Sequence, residues 1–187
     1  MARYAGFLAD RASSQHGPWA RSYDVFFRPI FAFAFIELAT RKIVHIATTR
    51  CPSWAWVTQQ LRNATPFGIA PRFLLRDRDG KYGPAVDALA KATGIDVIKT
   101  AVRASNMNAI CERFLGSLRR ECLDHIIILN DRHFDRVVRE YTGFYNSGRP
   151  HQGLRQQTPV PADRPAEGKI IKFPVLGGLH HDYRRAA

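Results

Sequence analysis

Cysteine is scarce in this chain, and acid is scarcer than base. Three cysteines occur among 187 residues, at Cys51, Cys111 and Cys122, and none forms a CxxC pair. An odd count at these spacings argues against a disulfide framework and for a reducing compartment. The histidines are scattered, which excludes zinc-finger spacing. No apolar run is long enough to span a bilayer, because the longest, Val25 to Leu38, is interrupted by Arg28 and Pro29. Met1 to Ser14 has no apolar stretch of the kind a secretion signal needs. No internal repeat is present. These absences lead to the expectation of a cytoplasmic protein with no membrane partner.

Acidic residues number 16 against 28 lysines and arginines, a net charge of +12. Arginine dominates the basic set, and its planar guanidinium suits bidentate contact with phosphate. Such a surface attracts nucleic acid, or anionic lipid, and says nothing about fold. The apolar fraction of 45% is that of an ordinary globular domain, and the length allows one domain with a real core.

Periodicity divides the chain into short elements. Met1 to Ala20 shows no clear period. In Val25 to Leu38, Phe31, Phe33 and Phe35 alternate with Ala32 and Ala34, a strand pattern that reads as core. Ile43 to Thr48 reads as a second strand and Ser53 to Asn63 as a helix. Pro71 to Arg76 is a short buried strand ending at Asp77, and Asp79-Gly80 marks a turn. Pro84 and Gly94 bracket a helix, and Ile95 to Lys99 is a strand. After a polar loop, Val102 to Met107, a strong helix runs from Asn108 to Leu123 with Ile110, Phe114 and Leu118 as its apolar stripe. A further helix spans Arg132 to Tyr145. Beyond Ser147 the chain is prolyl and loop-like. The order predicts an α/β layer architecture, with early strands antiparallel and later ones parallel.

Asp77 falls at the carboxyl end of a strand, where ligand sites in α/β sheets gather. Glu112 falls in the first turns of the next long helix. Two such carboxylates suit a hard divalent cation that keeps waters for a phosphate. Arg119 lies seven positions after Glu112, on nearly the same face, with Arg113 and Arg120 beside it. The alternative is an ion-pair pattern on a solvated helix face. Cys111 reads as a packed residue rather than a nucleophile. His180-His181 carries no evident role, and Arg184-Arg185 could add backbone contact with DNA.

Three stretches carry a family resemblance. LLRDRDGKYG (Leu74 to Gly83), NAICERFLGSLRREC (Asn108 to Cys122) and YNSGRPHQGL (Tyr145 to Leu154) together resemble the catalytic core of insertion-sequence transposases related to retroviral integrases. The resemblance covers Val25 to Pro159. It implies an RNase H-like fold, with a mixed five-stranded sheet and helices on both faces. It divides the chain into an N-terminal arm (1–22), a catalytic core (23–158) and a C-terminal tail (159–187). It implies transposition and DNA integration by metal-dependent hydrolysis and strand transfer, with two Mg²⁺ (or Mn²⁺) ions held by three acids. Asp77 and Glu112 match the second and third acid, and Arg119 a basic residue that meets DNA. Tyr145, Asn146, Arg149 and His151 match a C-terminal signature that shapes the end of the core or contacts phosphate. The register of the first acid falls near Pro18, where no acid stands, so Asp24 is the candidate. The expected partners are DNA, both element ends and target, and further copies of the chain. An inactive DNA-binding remnant, or a decayed copy of such an enzyme, is the alternative, and a nuclease of the same fold a third.

Overall fold

In the computed structural model, residues 4–6, 19–66, 70–76, 83–99, 109–161 and 167–186 are described, with the backbone alone for 4–6. Asp77, the Asp79-Gly80 turn and the Val102 to Met107 loop lie outside them.

The sheet is organised around β3 (Pro29–Glu37), in which Phe33, Phe35, Ala32 and Ala34 are excluded from water and Phe31 is partly buried. Phe33 and Phe35 pack edge to face at 5.2 Å, and Trp19 lies 4.8 Å from Phe33. Burying large aromatic side chains here removes much apolar area from water, the main stabilising contribution to such a core. The small Ala32 and Ala34 let the other face be covered closely. β3 pairs antiparallel with β4 (Ile43–Thr49) along one edge. Its other edge is shared by two short strands, β1 (Tyr4–Gly6) at Ile36 and Glu37, and β2 (Ala20–Tyr23) at Pro29 to Ala32. β1 in turn runs parallel to β5 (Phe73–Arg76), and β5 parallel to β6 (Asp96–Lys99). The sheet therefore has six strands rather than the expected five. The reason is local: one sheet position is divided between β1 and β2. Of the N-terminal arm expected over residues 1–22, the described residues include β1 and the start of β2.

The helices follow from their caps and stripes. α1 (Trp54–Ala64) begins where the Ser53 hydroxyl accepts the Trp56 N–H, and Trp56 packs 5.8 Å from Phe33. α2 (Gly83–Ala92) lies between β5 and β6 in sequence and buries Val86 and Ala90. α3 (Ala109–Glu121) buries Cys111, Phe114, Ser117 and Leu118 along one stripe. α4 (Asp131–Ser147) starts at Asn130, whose side chain accepts the His133 N–H at 2.9 Å. Phe114 of α3 meets Tyr145 of α4 edge-on at 4.9 Å.

The segment after Ser147 departs from the loop-like expectation. It ends in a separate two-stranded antiparallel hairpin, β7 (Ile170–Val175) and β8 (His180–Arg185). Gly177 and Gly178 take φ of +66° and +98° in the connecting turn, a region open to glycine at no steric cost. An isolated hairpin is marginal in water, so it needs a surface to lean on. α4 supplies one: His180 stacks on Phe144 at 5.0 Å, and the Leu176 N–H donates to the Glu140 carboxylate.

Candidate functional site

Glu112 sits in the first turn of α3, fully on the solvent side, where the helix dipole favours an anion. Among the described residues nothing pairs with its carboxylate. Its neighbour Cys111 is buried, and burial pushes that thiol far above its usual range, next to the Glu112 charge. Cys111 is thus a packed residue and no nucleophile. Arg113, Arg119 and Arg120 are exposed on the same helix. Arg119 lies 3.5 Å from Asp124 in a half-exposed pair of the kind that contributes little to stability. The Arg120 guanidinium folds back over Gly116, where a Cβ would stand 2.9 Å from Nη1.

β5 delivers the chain to Asp77, and its last residue is firmly held. Arg76, buried, donates from Nε and Nη2 to the two oxygens of Asp87 at 2.9 and 2.8 Å. Lys99, at the end of β6, reaches the same carboxylate at 2.9 Å. Burial alone would raise the Asp87 pKa, but the hydrogen bonds from Lys99 and Arg76 outweigh it and the net shift is downward. This three-residue tie fixes the ends of β5 and β6 against α2. The sequence reading missed it, because nothing in the spacing of 76, 87 and 99 announces a shared partner.

Asp24 stands elsewhere, at the tip of the β2–β3 hairpin, and its side chain is wholly enclosed. Oδ1 accepts the backbone N–H groups of Phe26 and Arg28 at 2.9 and 3.0 Å. Oδ2 accepts Arg28 Nε at 2.9 Å and Arg50 Nη2 at 2.8 Å. Burial would raise its pKa, but these bonds, Arg28 first, hold the carboxyl well below the usual carboxylate range. Arg50 also pairs with Asp131, the first residue of α4. The main chain on either side of Asp24 is paired as well, with the Val25 N–H on the Ile128 carbonyl at 2.9 Å. Every lone pair that a metal ion would use is engaged by the protein. The geometry is that of a structural anchor joining the hairpin, the end of β4 and α4.

The C-terminal signature also turns inward. Tyr145 is buried and meets the His151 ring edge-on at 4.4 Å. Burial pushes its phenol up to about 12. His151 is buried too, with Nε2 3.0 Å from the Tyr145 carbonyl, and burial lowers its pKa, so it stands neutral. Arg149 pairs with Glu121 of α3 at 2.6 Å, and Tyr141 donates its hydroxyl to the same carboxylate at 2.8 Å. Asn146 accepts the Ile43 N–H through Oδ1 and donates to the Ile43 carbonyl through Nδ2, both at 2.9 Å. These four side chains tie α4 to α3 and to the start of β4, with the polar atoms of Asn146, Arg149 and His151 on protein partners. Asn146→Ala is expected to cost about 2–4 kcal/mol, since two buried backbone groups lose their partners at once. Urea denaturation would measure it, and a loss below about 1 kcal/mol would mean that Ile43 finds other partners.

The strand order, with antiparallel β3 and β4 followed by parallel β5 and β6, is that of an RNase H-like α/β fold. Solved structures bear this out. A chain of the simian T-cell lymphotropic virus intasome, solved with PP2A regulatory subunit B56 gamma, superposes with a TM-score of 0.65 at 10% identity, covering 98% of this chain and 66% of that one. The HTLV-2 integrase catalytic core domain, solved with magnesium in a trimeric form, gives 0.59 at 7% identity over 82% of this chain and 90% of that one. Sequence narrows the class. Residues 93–159 match the family model described as an integrase core domain. The 31.7 kDa protein of insertion element IS407 from Burkholderia multivorans is 26% identical over 71% of this chain. The 39.2 kDa protein of insertion element IS476 from Xanthomonas euvesicatoria is 29% identical over 71%. The chain spans 48% and 39% of those proteins' own lengths. Together these matches make part of the chain similar to integrase cores and to insertion-element proteins, on an RNase H-like fold. No helix among the described residues is long and apolar enough to cross a membrane.

Proposed function

We propose that the chain acts on DNA as a transposase core, by phosphodiester hydrolysis followed by strand transfer. The observation that carries this reading is the solvent-facing carboxylate of Glu112, unpaired among the described residues, inside the matched integrase-core segment and beside exposed arginines. In the first step water attacks a phosphodiester and a 3′-hydroxyl leaves. In the second that hydroxyl attacks a target phosphodiester, and the displaced target 3′-oxygen takes up the proton. Neither step needs a covalent protein intermediate.

Glu112 and Asp77 would hold the divalent ions, since carboxylate oxygens suit Mg²⁺ or Mn²⁺. Bound there, two ions would stabilise the attacking and leaving oxygens. Arg119, with Arg113 and Arg120 beside it, would hold the phosphate by charge-assisted hydrogen bonds. The magnesium in the HTLV-2 core supports the metal, and the intasome and trimeric forms support action as a homo-oligomer. The first carboxylate is the open position. Asp24 is occupied by arginines. β1, not β2, runs beside β5, with Gly6 paired to Leu75, two residues before Asp77. The next acid along the chain from Gly6 is Asp10, which the sequence reading passed over and which lies outside the described residues. The engaged state of Asp24 also favours a second reading, a DNA-binding remnant without activity.

Nicking of supercoiled plasmid with Mn²⁺, with and without chelator, decides between them. Chelator-sensitive nicks support the enzyme. Binding without nicks supports the remnant, and neither binding nor nicking overturns both.

A further inference from the structure

The C-terminal hairpin is not used by the reading above, and its register sorts its residues sharply. Directly opposed residues of an antiparallel pair share a face, and successive residues alternate. Phe173 opposite Asp182 and Val175 opposite His180 therefore lie on one face with Ile171 and Arg184. The end of that face near the turn meets the domain, where His180 stacks on Phe144 and Asp182 is buried beside Gly148, while Ile171, Phe173 and Arg184 stay exposed. The other face carries Ile170 opposite Arg185, Lys172 opposite Tyr183 and Pro174 opposite His181.

The charge follows the same division. Asp182 is the sole acid of the two strands, and it is on the inner face, held by Arg184 at 2.7 Å. The outer face holds Lys172, Arg185 and His181 and no acid at all. Lys172, Tyr183 and Arg185 are all exposed. Arg185 gives one donor to the Gly168 carbonyl at 3.3 Å and keeps the rest of its guanidinium for other partners. Diagonal neighbours on such a ladder, as Lys172 and Arg185 are, stand roughly 7–8 Å apart. A two-stranded ribbon with cations and an aromatic ring on one face has the width that the DNA major groove admits.

We propose that the outer face of this hairpin is a docking surface for duplex DNA, in which Lys172 and Arg185 contact backbone phosphates and Tyr183 packs against the duplex. It rests on the DNA reading of the whole chain but names a site outside the carboxylate region and outside the integrase-core match. A protein partner is disfavoured because the charged groups of the face, Lys172 and Arg185, are of one sign.

The test is fluorescence anisotropy of the full chain on a random-sequence duplex across a salt series, comparing wild type with the Lys172→Ala/Arg185→Ala double variant. Each lost phosphate contact lowers the log–log salt slope by about 0.9, so the double variant should lose roughly 2 from the slope and bind at least tenfold more weakly at moderate salt. Its thermal midpoint should match wild type, because neither side chain supports the core. Tyr183→Ala should weaken binding with the salt slope unchanged. A double variant that binds as wild type does, with the same slope, overturns the inference and leaves the proposed function standing. A wild type that fails to bind DNA at all overturns both.

Discussion

Glu112→Gln is expected to abolish chelator-sensitive nicking while leaving the thermal midpoint within about 1 °C of wild type and the DNA affinity unreduced. The substitution keeps the size of the side chain and removes its charge. Nothing among the described residues leans on that carboxylate, so the fold has little to lose. The chemistry has much to lose, because groups that act as one set fail together: removing a single member costs nearly the whole rate. Neutralising an acid beside Arg113 and Arg119 also makes this face more positive, which pushes DNA affinity upward if it moves at all. Plasmid nicking, scanning calorimetry and anisotropy on one preparation read all three quantities. Retained nicking in this variant would remove Glu112 from the site. A fall in midpoint of many degrees would instead make it a structural residue and take away the observation on which the proposed function stands.

The contrast between Glu112 and the C-terminal signature shows what a sequence reveals. Apolar period located β3, α3 and α4 within a few residues, because burial imposes that period directly. The exposure of Glu112 was legible for a related reason: an acid on the polar side of a strongly amphipathic helix faces solvent. Tyr145, Asn146, Arg149 and His151 look alike in sequence, polar residues around the end of a helix in a basic chain. Their partners are Glu121, Ile43 and one another, and Ile43 is about 100 positions away. No local pattern carries such a pairing. The same holds for Arg76, Asp87 and Lys99, and for the C-terminal hairpin. Prolines at 159, 161 and 165 signalled loop, and β7 forms after them only because α4 offers Phe144 and Glu140 as supports. Tertiary contact, not local preference, decides that segment.

Asp24→Asn tests whether Asp24 is a metal ligand or a structural anchor. As a metal ligand, Asp24 could lose its charge with the fold intact and activity gone. The geometry predicts another outcome: a fall in thermal midpoint of about 10 °C or more, as when one partner of an enclosed ion pair is removed. The amide would turn an N–H group toward guanidinium donors, leaving Arg28 and Arg50 facing a neutral side chain. Arg50 also holds Asp131, so the start of α4 should loosen with the hairpin tip. The pH dependence has a definite sign. A carboxyl whose folded pKa is depressed contributes its full stability above the unfolded value, about 3.9, and loses it as pH falls toward the folded value. The gap in midpoint between wild type and variant should therefore be wide at pH 7 and narrow steadily below about pH 4. A gap that stays constant with pH would mean that the charge of Asp24 is not what stabilises the fold. An unchanged midpoint with nicking abolished would restore Asp24 as a ligand. If Asp24→Asn unfolds as expected, Asp10→Asn becomes the informative variant for the first carboxylate, because loss of nicking there with an unchanged midpoint would place that acid beside Asp77 and Glu112.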